Sequence, residues 1–229
     1  MVKNPRVILS CLISIMLATS VSAEWVPLTE RVTLSSLQGE SLIFGDKEIS
    51  EFDMFGFSDG GALDPNPDQM FVQGGKNSIT GDYGLKFTLS WSVISGQTVN
   101  ATLSFKVSVL PGYDGYIKDV RMDLTGAGAT GNGVVAATEN VQNAGGNVIA
   151  SLSCSKQYGD GGVYLVDHAE FAQPVKEIWI RSKDISVTSG TGIGSAHISE
   201  FFQYYSQIPE PATICLLGLG VLGLLRRRK

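Results

Sequence analysis

Apolar and polar side chains alternate along much of this chain, and this period of two constrains the fold more than any other feature. The clearest run covers residues 99–109, whose apolar positions are Val99, Ala101, Leu103, Phe105, Val107 and Val109. The positions between them are polar and include Lys106. Because successive side chains of a β-strand point to opposite sides, the run predicts a strand with one buried face and one wet face.

The same alternation recurs on both sides of this run. In residues 85–93 the apolar positions are separated by polar ones such as Lys86, and Ser95-Gly96-Gln97 then predicts a hairpin loop. In Tyr116 to Leu124 the pattern predicts Val120, Met122 and Leu124 inward, with Asp119, Arg121 and Asp123 outward. Further strands are predicted at 31–37, 41–44, 47–57, 69–73, 133–138, 147–154, 162–166, 175–181, 184–188 and 196–205. Residues 24–208 are therefore expected to form an all-β, antiparallel two-sheet sandwich of jelly-roll-like type.

The N-terminal end has the three parts of a secretory signal peptide. Lys3 and Arg6 form a basic start, residues 7–18 are mainly apolar, and Val21-Ser22-Ala23 has the small-x-small pattern that signal peptidase recognises. Residues 1–23 are therefore predicted to be removed by cleavage between Ala23 and Glu24.

The C-terminal end also has three parts. Pro209, Glu210 and Pro211 precede an uncharged apolar stretch at 212–225, and the chain ends on the cations Arg226, Arg227, Arg228 and Lys229. As a helix, fourteen residues span about 21 Å, less than the roughly 30 Å of a hydrocarbon core, and the long basic side chains can make up part of the difference. Terminal cations favour the cytoplasmic side. Residues 212–225 are thus predicted to form a transmembrane helix, with the preceding domain outside.

This tail resembles the PEP-CTERM sorting domain of exported bacterial proteins. The resemblance rests on residues 209–229 and implies a sorting role for Pro209, Glu210 and Pro211, with processing by the membrane enzyme exosortase. It also implies a transient inner-membrane anchor, delivery to the cell surface or extracellular matrix, and an association with secreted polysaccharide. It implies no catalytic residue.

Charge and cysteine usage limit what the exported part does. Residues 24–208 retain 11 of the 17 basic and 21 of the 22 acidic side chains, a net charge of about −10, so nucleic-acid binding is not expected. Cys11 and Cys215 lie in the terminal segments, which leaves Cys154 without a disulfide partner. Its phase with Leu152 predicts a small buried apolar residue.

The residue types for chemistry are sparse. A proline-containing loop carries Asp59, Asp64 and Asp68, whose carboxylate oxygens would suit Ca²⁺. Aspartate is also common in turns that bind no metal. The segment 126–131 matches G-x-G-x-x-G but lacks a following helical pattern, so it is interpreted as a loop. His168 and His197 are expected to be surface residues. No cofactor and no catalytic group is predicted.

Three functions remain open from the sequence. The first is a non-enzymatic surface or matrix protein, sorted by exosortase and associated with polysaccharide. The second is a carbohydrate-binding β-sandwich, and the third is a secreted glycan hydrolase. A row of exposed aromatic side chains would favour sugar binding. Trp179, which lies between Ile178 and Ile180, is expected in the core rather than in such a row.

Overall fold

The computed structural model describes residues 25–158 and 163–209, which form two antiparallel β-sheets. The described strands are β1 (Trp25–Pro27), β2 (Val32–Thr33), β3 (Leu42–Phe44), β4 (Lys47–Asp59), β5 (Phe71–Asn77), β6 (Tyr83–Ile94), β7 (Thr98–Val109), β8 (Gly115–Asp123), β9 (Ala127–Gly131), β10 (Val134–Asn143), β11 (Val148–Gln157), β12 (Val163–Tyr164), β13 (Val166–Val175), β14 (Glu177–Thr188) and β15 (Gly194–Pro209). Short 3-10 helices cover Ser35–Leu37 and Pro67–Gln69. The predicted all-β class with two antiparallel sheets is confirmed.

Two sheets share the strands. Sheet A has the order β1-β5-β6-β15-β8-β13, with β2 also beside β5 and β9 also beside β15. Sheet B has the order β12-β11-β10-β14-β7-β4-β3. The chain crosses between the sheets several times, and two of these crossings lie between β6 and β7 and between β14 and β15. The long strand β15 therefore lies in the middle of sheet A, between β6 and β8, and leads directly into the C-terminal tail.

The core lies between the sheets and is filled by the predicted apolar faces. In β6 and β7, every apolar residue of the two alternating runs is buried. Aromatic rings meet at its centre, where Phe87 of sheet A stacks on Phe201 with centroids 4.6 Å apart and faces Phe105 of sheet B at 5.9 Å. Cys154 is also fully buried, as expected, and burial raises the pKa of its thiol to about 12.

The outer faces of the two sheets are less exposed to solvent than the alternation predicted. Lys86 and Lys106 lie on the predicted outer faces, but their side chains are only 26% and 22% exposed. Each ammonium lies over an aromatic ring and pairs with a glutamate, Lys86 with Phe202 and Glu200 in sheet A. Asp119 and Asp123 are likewise outward yet buried. Long cationic side chains cover outer surface with their stems while keeping a charged end paired, which simple alternation does not predict.

Several strand assignments from the sequence were wrong. The strand predicted at 31–37 is limited to Val32–Thr33, and Ser35–Leu37 form a 3-10 helix. Residues 127–131, interpreted as a loop, form β9 and pair with β15. A Cβ at Gly128 would lie too close to Cε1 of His197 on the neighbouring strand, so any larger residue there would have to displace that ring. Residues 166–175 form β13, a complete strand of which only the first and last residues fell within predicted strands. The alternation of apolar and polar residues was not recognisable in these segments, because β9 contains glycines and β13 is rich in polar residues.

Several predicted features lie outside the described residues. These are the signal peptide at 1–23, its cleavage site at Ala23 and Glu24, and the tail residues Glu210, Pro211, 212–225 and 226–229. Pro209 ends β15, where its backbone pairs with Gly115. None of the helices within 25–158 and 163–209 is long and apolar enough to cross a membrane.

Candidate functional site

An exposed aromatic pair lies on the outer face of sheet B. Phe55 and Phe57 of β4 are 72% and 54% exposed. Across the sheet, Phe55 is in register with Thr102 and then Asp184, and Phe57 is in register with Asn100 and then Ser186. These six residues line a shallow open groove of about 260 Å³, which we call the aromatic groove. Each of its two rows starts with an aromatic ring and continues with hydrogen-bonding side chains.

A β-bulge puts the two rings on the outside. The pairing of β4 with β7 shifts between Ser50 and Asp53, and Glu51 has a positive φ of 57°. The extra residue reverses the phase of the strand, so that Phe52 joins the core while Phe55 and Phe57 face outward. Without the bulge, Phe55 and Phe57 would share the inward phase of Ile49. A contiguous exposed apolar patch with polar residues at its rim is typical of a binding surface.

The loop after β4 covers the free edge of that strand. Asp64 accepts hydrogen bonds at Oδ1 from the Ser58 backbone N–H at 2.8 Å and from the Ser58 hydroxyl at 2.7 Å. Asp59 accepts one from Gly60 N, at 2.6 Å. A Cβ at Gly56 would collide with Pro65, which shows how closely the loop packs on the strand. This part of the loop satisfies an exposed strand edge, a structural task that the sequence did not reveal.

The calcium hypothesis for Asp59, Asp64 and Asp68 stays a prediction, and we expect it to fail. Calcium that bound only the folded protein would raise the melting temperature by mass action. Since Asp64 is already engaged with Ser58, we expect equal melting temperatures in chelator and in millimolar calcium. Asp64→Ala should lower the free energy of unfolding by about 1 kcal/mol, and Asp64→Asn by less because it keeps an acceptor. A calcium-dependent rise in melting temperature that Asp64→Asn abolishes would establish the site.

A second polar surface lies on the outer face of sheet A. His168 Nε2 lies 3.3 Å from Asp119 Oδ2, and one ligand atom from each of Asp119, His168 and Glu170 lies within 4.8 Å of the others. Within the described ranges, this is the one group of three such side chains close enough to share a metal ion. It borders an open depression of about 380 Å³ that also contains Arg121 and Tyr204.

Charge and burial raise the pKa of two groups next to this depression. Arg121 donates to both oxygens of Asp123 at 2.7 Å, and these bonds raise the pKa of its guanidinium. Burial, with a smaller contribution from the Asp123 charge, raises the pKa of Tyr204 to about 12. Both groups therefore keep their protons at neutral pH, and Tyr204 is a hydrogen-bond donor rather than a base.

This polar surface could be seen in the sequence only in pieces. Asp119 is predicted on an outward face, but His168 and Glu170 belong to β13, which the sequence pattern does not reveal as a strand. Their spacing of two residues puts both on one face of a strand. The register Glu170–Asp119 between β13 and β8 then brings the three together. The signal was present, but it could be used only once the strand was known.

The tryptophans do not form a sugar platform. Trp91 lies in the core, as expected, and Trp25 packs edge-on against Phe202 at 5.2 Å. The core position expected for Trp179 is wrong, because this residue lies on the outer face of sheet B between two cations. Arg181 lies 3.7 Å and Lys106 5.2 Å from its ring centroid. Both cations lie over the ring, where they would compete with a stacked sugar.

Three solved structures have a distant likeness to this chain. The enzymatically active domain of tailspike protein 4 of bacteriophage CBA120 is 12% identical over 67% of this chain and 19% of that chain, with a TM-score of 0.28. An arabinose-bound MgGH51 α-L-arabinofuranosidase is 12% identical over 78% of this chain and 25% of that chain. Endoglucanase 3 of Trichoderma harzianum, from family GH12, is 10% identical over 67% of this chain and 98% of that chain. Both have a TM-score of 0.25. This chain thus spans at most a quarter of the length of the first two, and such TM-scores assign it no activity.

No curated protein matches the chain. The C-terminal tail does have a match, because a family model described as the PEP-CTERM protein-sorting motif covers residues 207–229. The match begins inside β15, two residues before Pro209, and includes the proline pair, the apolar stretch and the basic end. This confirms the resemblance that the tail residues carry. The chain therefore carries the PEP-CTERM protein-sorting motif at its C-terminal end, which supports an exported protein that exosortase processes.

Proposed function

We propose that the β-sandwich is a non-enzymatic surface or matrix protein that binds extracellular polysaccharide through the aromatic groove. The observation that carries the proposal is the exposure of Phe55 and Phe57 beside two rows of polar side chains. Aromatic faces pack against the apolar face of a sugar ring, and hydroxyl, amide and carboxylate groups bond its hydroxyls. The sorting motif supports the proposal, since it indicates an exported domain.

The geometry of the groove suits a chain molecule better than a small ligand. The groove is shallow and open, and its rows run across β4, β7 and β14 rather than into a closed cavity. Along β4 the Cα atoms of Phe55 and Phe57 are about 7 Å apart, because strands rise about 3.3 Å per residue. Thr102 donates to Asp184 Oδ1 at 2.6 Å, which holds the carboxylate in place within the row that Phe55 begins. A polysaccharide can lie across both rows and contact each ring with a different sugar.

Removal of both rings should abolish most of the binding. We expect the double variant Phe55→Ala/Phe57→Ala to bind polysaccharide from the producing strain at least about tenfold more weakly, as for the loss of a central aromatic contact. The measurement is co-sedimentation of the processed protein with that polysaccharide, with dextran as the neutral comparison polymer. Tyr113→Ala is the matched control, because Tyr113 is 51% exposed and lies outside the groove. Unchanged binding by the double variant, with a normal melting temperature, would overturn the proposal.

A glycan hydrolase is the second candidate, and the Asp119, His168 and Glu170 group is the observation that favours it. Two carboxyl groups close together are the arrangement of retaining glycosidases. His168 and Glu170 are exposed, however, and no deep cleft surrounds them within the described residues. In the same experiment we expect no release of reducing ends from the polysaccharide. Release that Glu170→Gln abolishes would replace the non-enzymatic proposal with this one.

A further inference from the structure

A lysine, a glutamine and a glutamate meet in the dry interior between the two sheets. Lys183 of β14 and Gln203 of β15 are fully buried, and Glu139 of β10 is 2% exposed. Lys183 comes from sheet B and Gln203 from sheet A, so the three side chains bridge the sandwich. Neither the aromatic groove nor the polar surface of sheet A includes any of them.

We call these three residues the buried triad, and each of them contacts the other two. Lys183 Nζ donates to Gln203 Oε1 at 2.5 Å and lies 2.5 Å from Glu139 Oε2, though not in hydrogen-bonding alignment with it. Gln203 Nε2 donates to Glu139 Oε1 at 2.9 Å. One carboxylate thus touches both the amine and the amide nitrogen, while the amine touches the amide carbonyl. The donors and acceptors are consistent with only this orientation of the Gln203 amide.

The triad is buried among apolar side chains, and Glu139 Oε2 accepts no hydrogen bond from any residue that the structure describes. Phe201 lies with its ring centroid 5.5 Å from Lys183 Nζ, and Met122 Sδ lies 3.1 Å from the same atom. The hydroxyl of buried Tyr205, two residues after Gln203 on the same face, makes no hydrogen bond within the described residues. Burying a charged pair costs several kcal/mol per ion unless further hydrogen bonds compensate. A reaction that removed the charge of Lys183 would relieve this cost.

We propose that the triad is the site of an intramolecular isopeptide bond, formed between Lys183 Nζ and Gln203 Cδ with Glu139 as the acid–base catalyst. The chemistry is aminolysis of a carboxamide, which needs an amine, a carbonyl carbon and a group that moves protons between two nitrogens. All three are in contact in the triad. Cδ is one carbonyl bond, about 1.2 Å, beyond the oxygen that Nζ already touches, so a small rotation of the Gln203 side chain allows attack.

The step balances without any other reactant. Lys183 Nζ gives a proton to Glu139 Oε2, and its freed electron pair forms a bond to Gln203 Cδ. The Glu139 carboxyl group then turns to deliver this same proton to Nε2 and accepts the second proton from Nζ, so that Glu139 ends as the neutral acid. The Cδ–Nε2 bond breaks, ammonia leaves, and the amide between Lys183 and Gln203 remains. Nothing is oxidised or reduced, and the dry site disfavours hydrolysis of the intermediate.

The position of the bond gives it a mechanical purpose. β15 continues into the sorting motif, which begins at residue 207. Any pull on the C-terminal end of the protein therefore acts first on β15, which otherwise holds to its neighbours only by non-covalent contacts. A covalent link at Gln203 ties this strand to β14 of the opposite sheet. The load is then shared by both sheets instead of peeling β15 from sheet A.

Peptide mapping of the full chain tests the proposal. Trypsin and glutamyl endopeptidase cut after Arg181, after Lys183 and after Glu200 in an unlinked chain. With the bond in place, Lys183 resists trypsin, and mass spectrometry should find the peptide Ser182 to Glu200 joined to the segment that starts at Phe201. The joined product should be lighter by one ammonia than its two parts. Cleavage after Lys183 in wild-type protein that was folded before digestion, with no joined product, would overturn the proposal.

Variants separate the roles within the triad. We expect Lys183→Met and Gln203→Ala to give no joined product, and Glu139→Ala to lose it although both bond partners remain. Complete joining in Glu139→Ala would remove the catalytic role of Glu139. Wild-type mapping decides the bond itself even if a variant does not fold. The matched control is Gln207→Ala, since Gln207 and Lys47 share Asp46 in a similar buried group where Lys47 contacts no carboxamide oxygen within the described ranges. This variant should be linked as fully as wild type.

Discussion

Replacing Pro209, Glu210 and Pro211 with alanine should leave the protein in the membrane with its tail uncut. The replacement keeps the apolar stretch at 212–225 and the cations at 226–229, so insertion should persist while recognition by exosortase is lost. We expect processing to fall from complete to undetectable. Fractionation of the cells, with mass measurement of the C-terminus, distinguishes the two states. The fold should be unaffected, because Pro209 is the last residue of β15 and pairs only with Gly115.

Changes in the other two parts of the tail should have different effects on the protein. Neutral residues in place of Arg226, Arg227, Arg228 and Lys229 remove the bias toward the cytoplasmic side, so the tail should insert poorly or pass through. Deletion of 212–229 removes the anchor and should release a soluble domain that exosortase never processed. A mature protein that still ends at Lys229 in a strain with exosortase would contradict the sorting role and leave the tail as an anchor only.

Phe87→Ala should strongly destabilise the sandwich. The ring is fully buried, stacks on Phe201 and contacts Phe105 of the opposite sheet, so its removal leaves a cavity between the sheets. We expect a loss of about 4 kcal/mol in the free energy of unfolding. For a domain of this size the melting temperature should fall by roughly 10 °C, measured by thermal unfolding in the absence of denaturant.

Lys86→Ala is the control on the adjacent residue of the same strand. Lys86 lies on the outer face, where it pairs with Glu200 at 2.8 Å and remains partly exposed. Exposed or half-exposed ion pairs contribute less than about 1 kcal/mol, so the loss should be small. Similar losses for the two variants would contradict the assignment of Phe87 to the inward face of β6 and Lys86 to the outward face.

The regular strands could be predicted from the sequence because their pattern is local. In β6 and β7, burial requires apolar side chains at every second position, and each position reports its face independently of distant contacts. The tail was equally readable, since the properties of Pro209 to Lys229 depend on composition and order alone. β9 and β13 were missed because glycine and polar residues interrupt the period in them, and only pairing with β15 and β8 makes them strands.

The sequence by itself thus determined the all-β class, the faces of the regular strands and the sorting tail. The tertiary structure decided which of these side chains face the solvent and which face the core, and it did so through β-bulges. One bulge, after Ser50, turns Phe55 and Phe57 outward to form the aromatic groove. Another, between Ile180 and Lys183, turns Lys183 inward toward Gln203. A single extra residue reverses every later side chain, and its position is set by pairing with neighbouring strands, so no local pattern contains it.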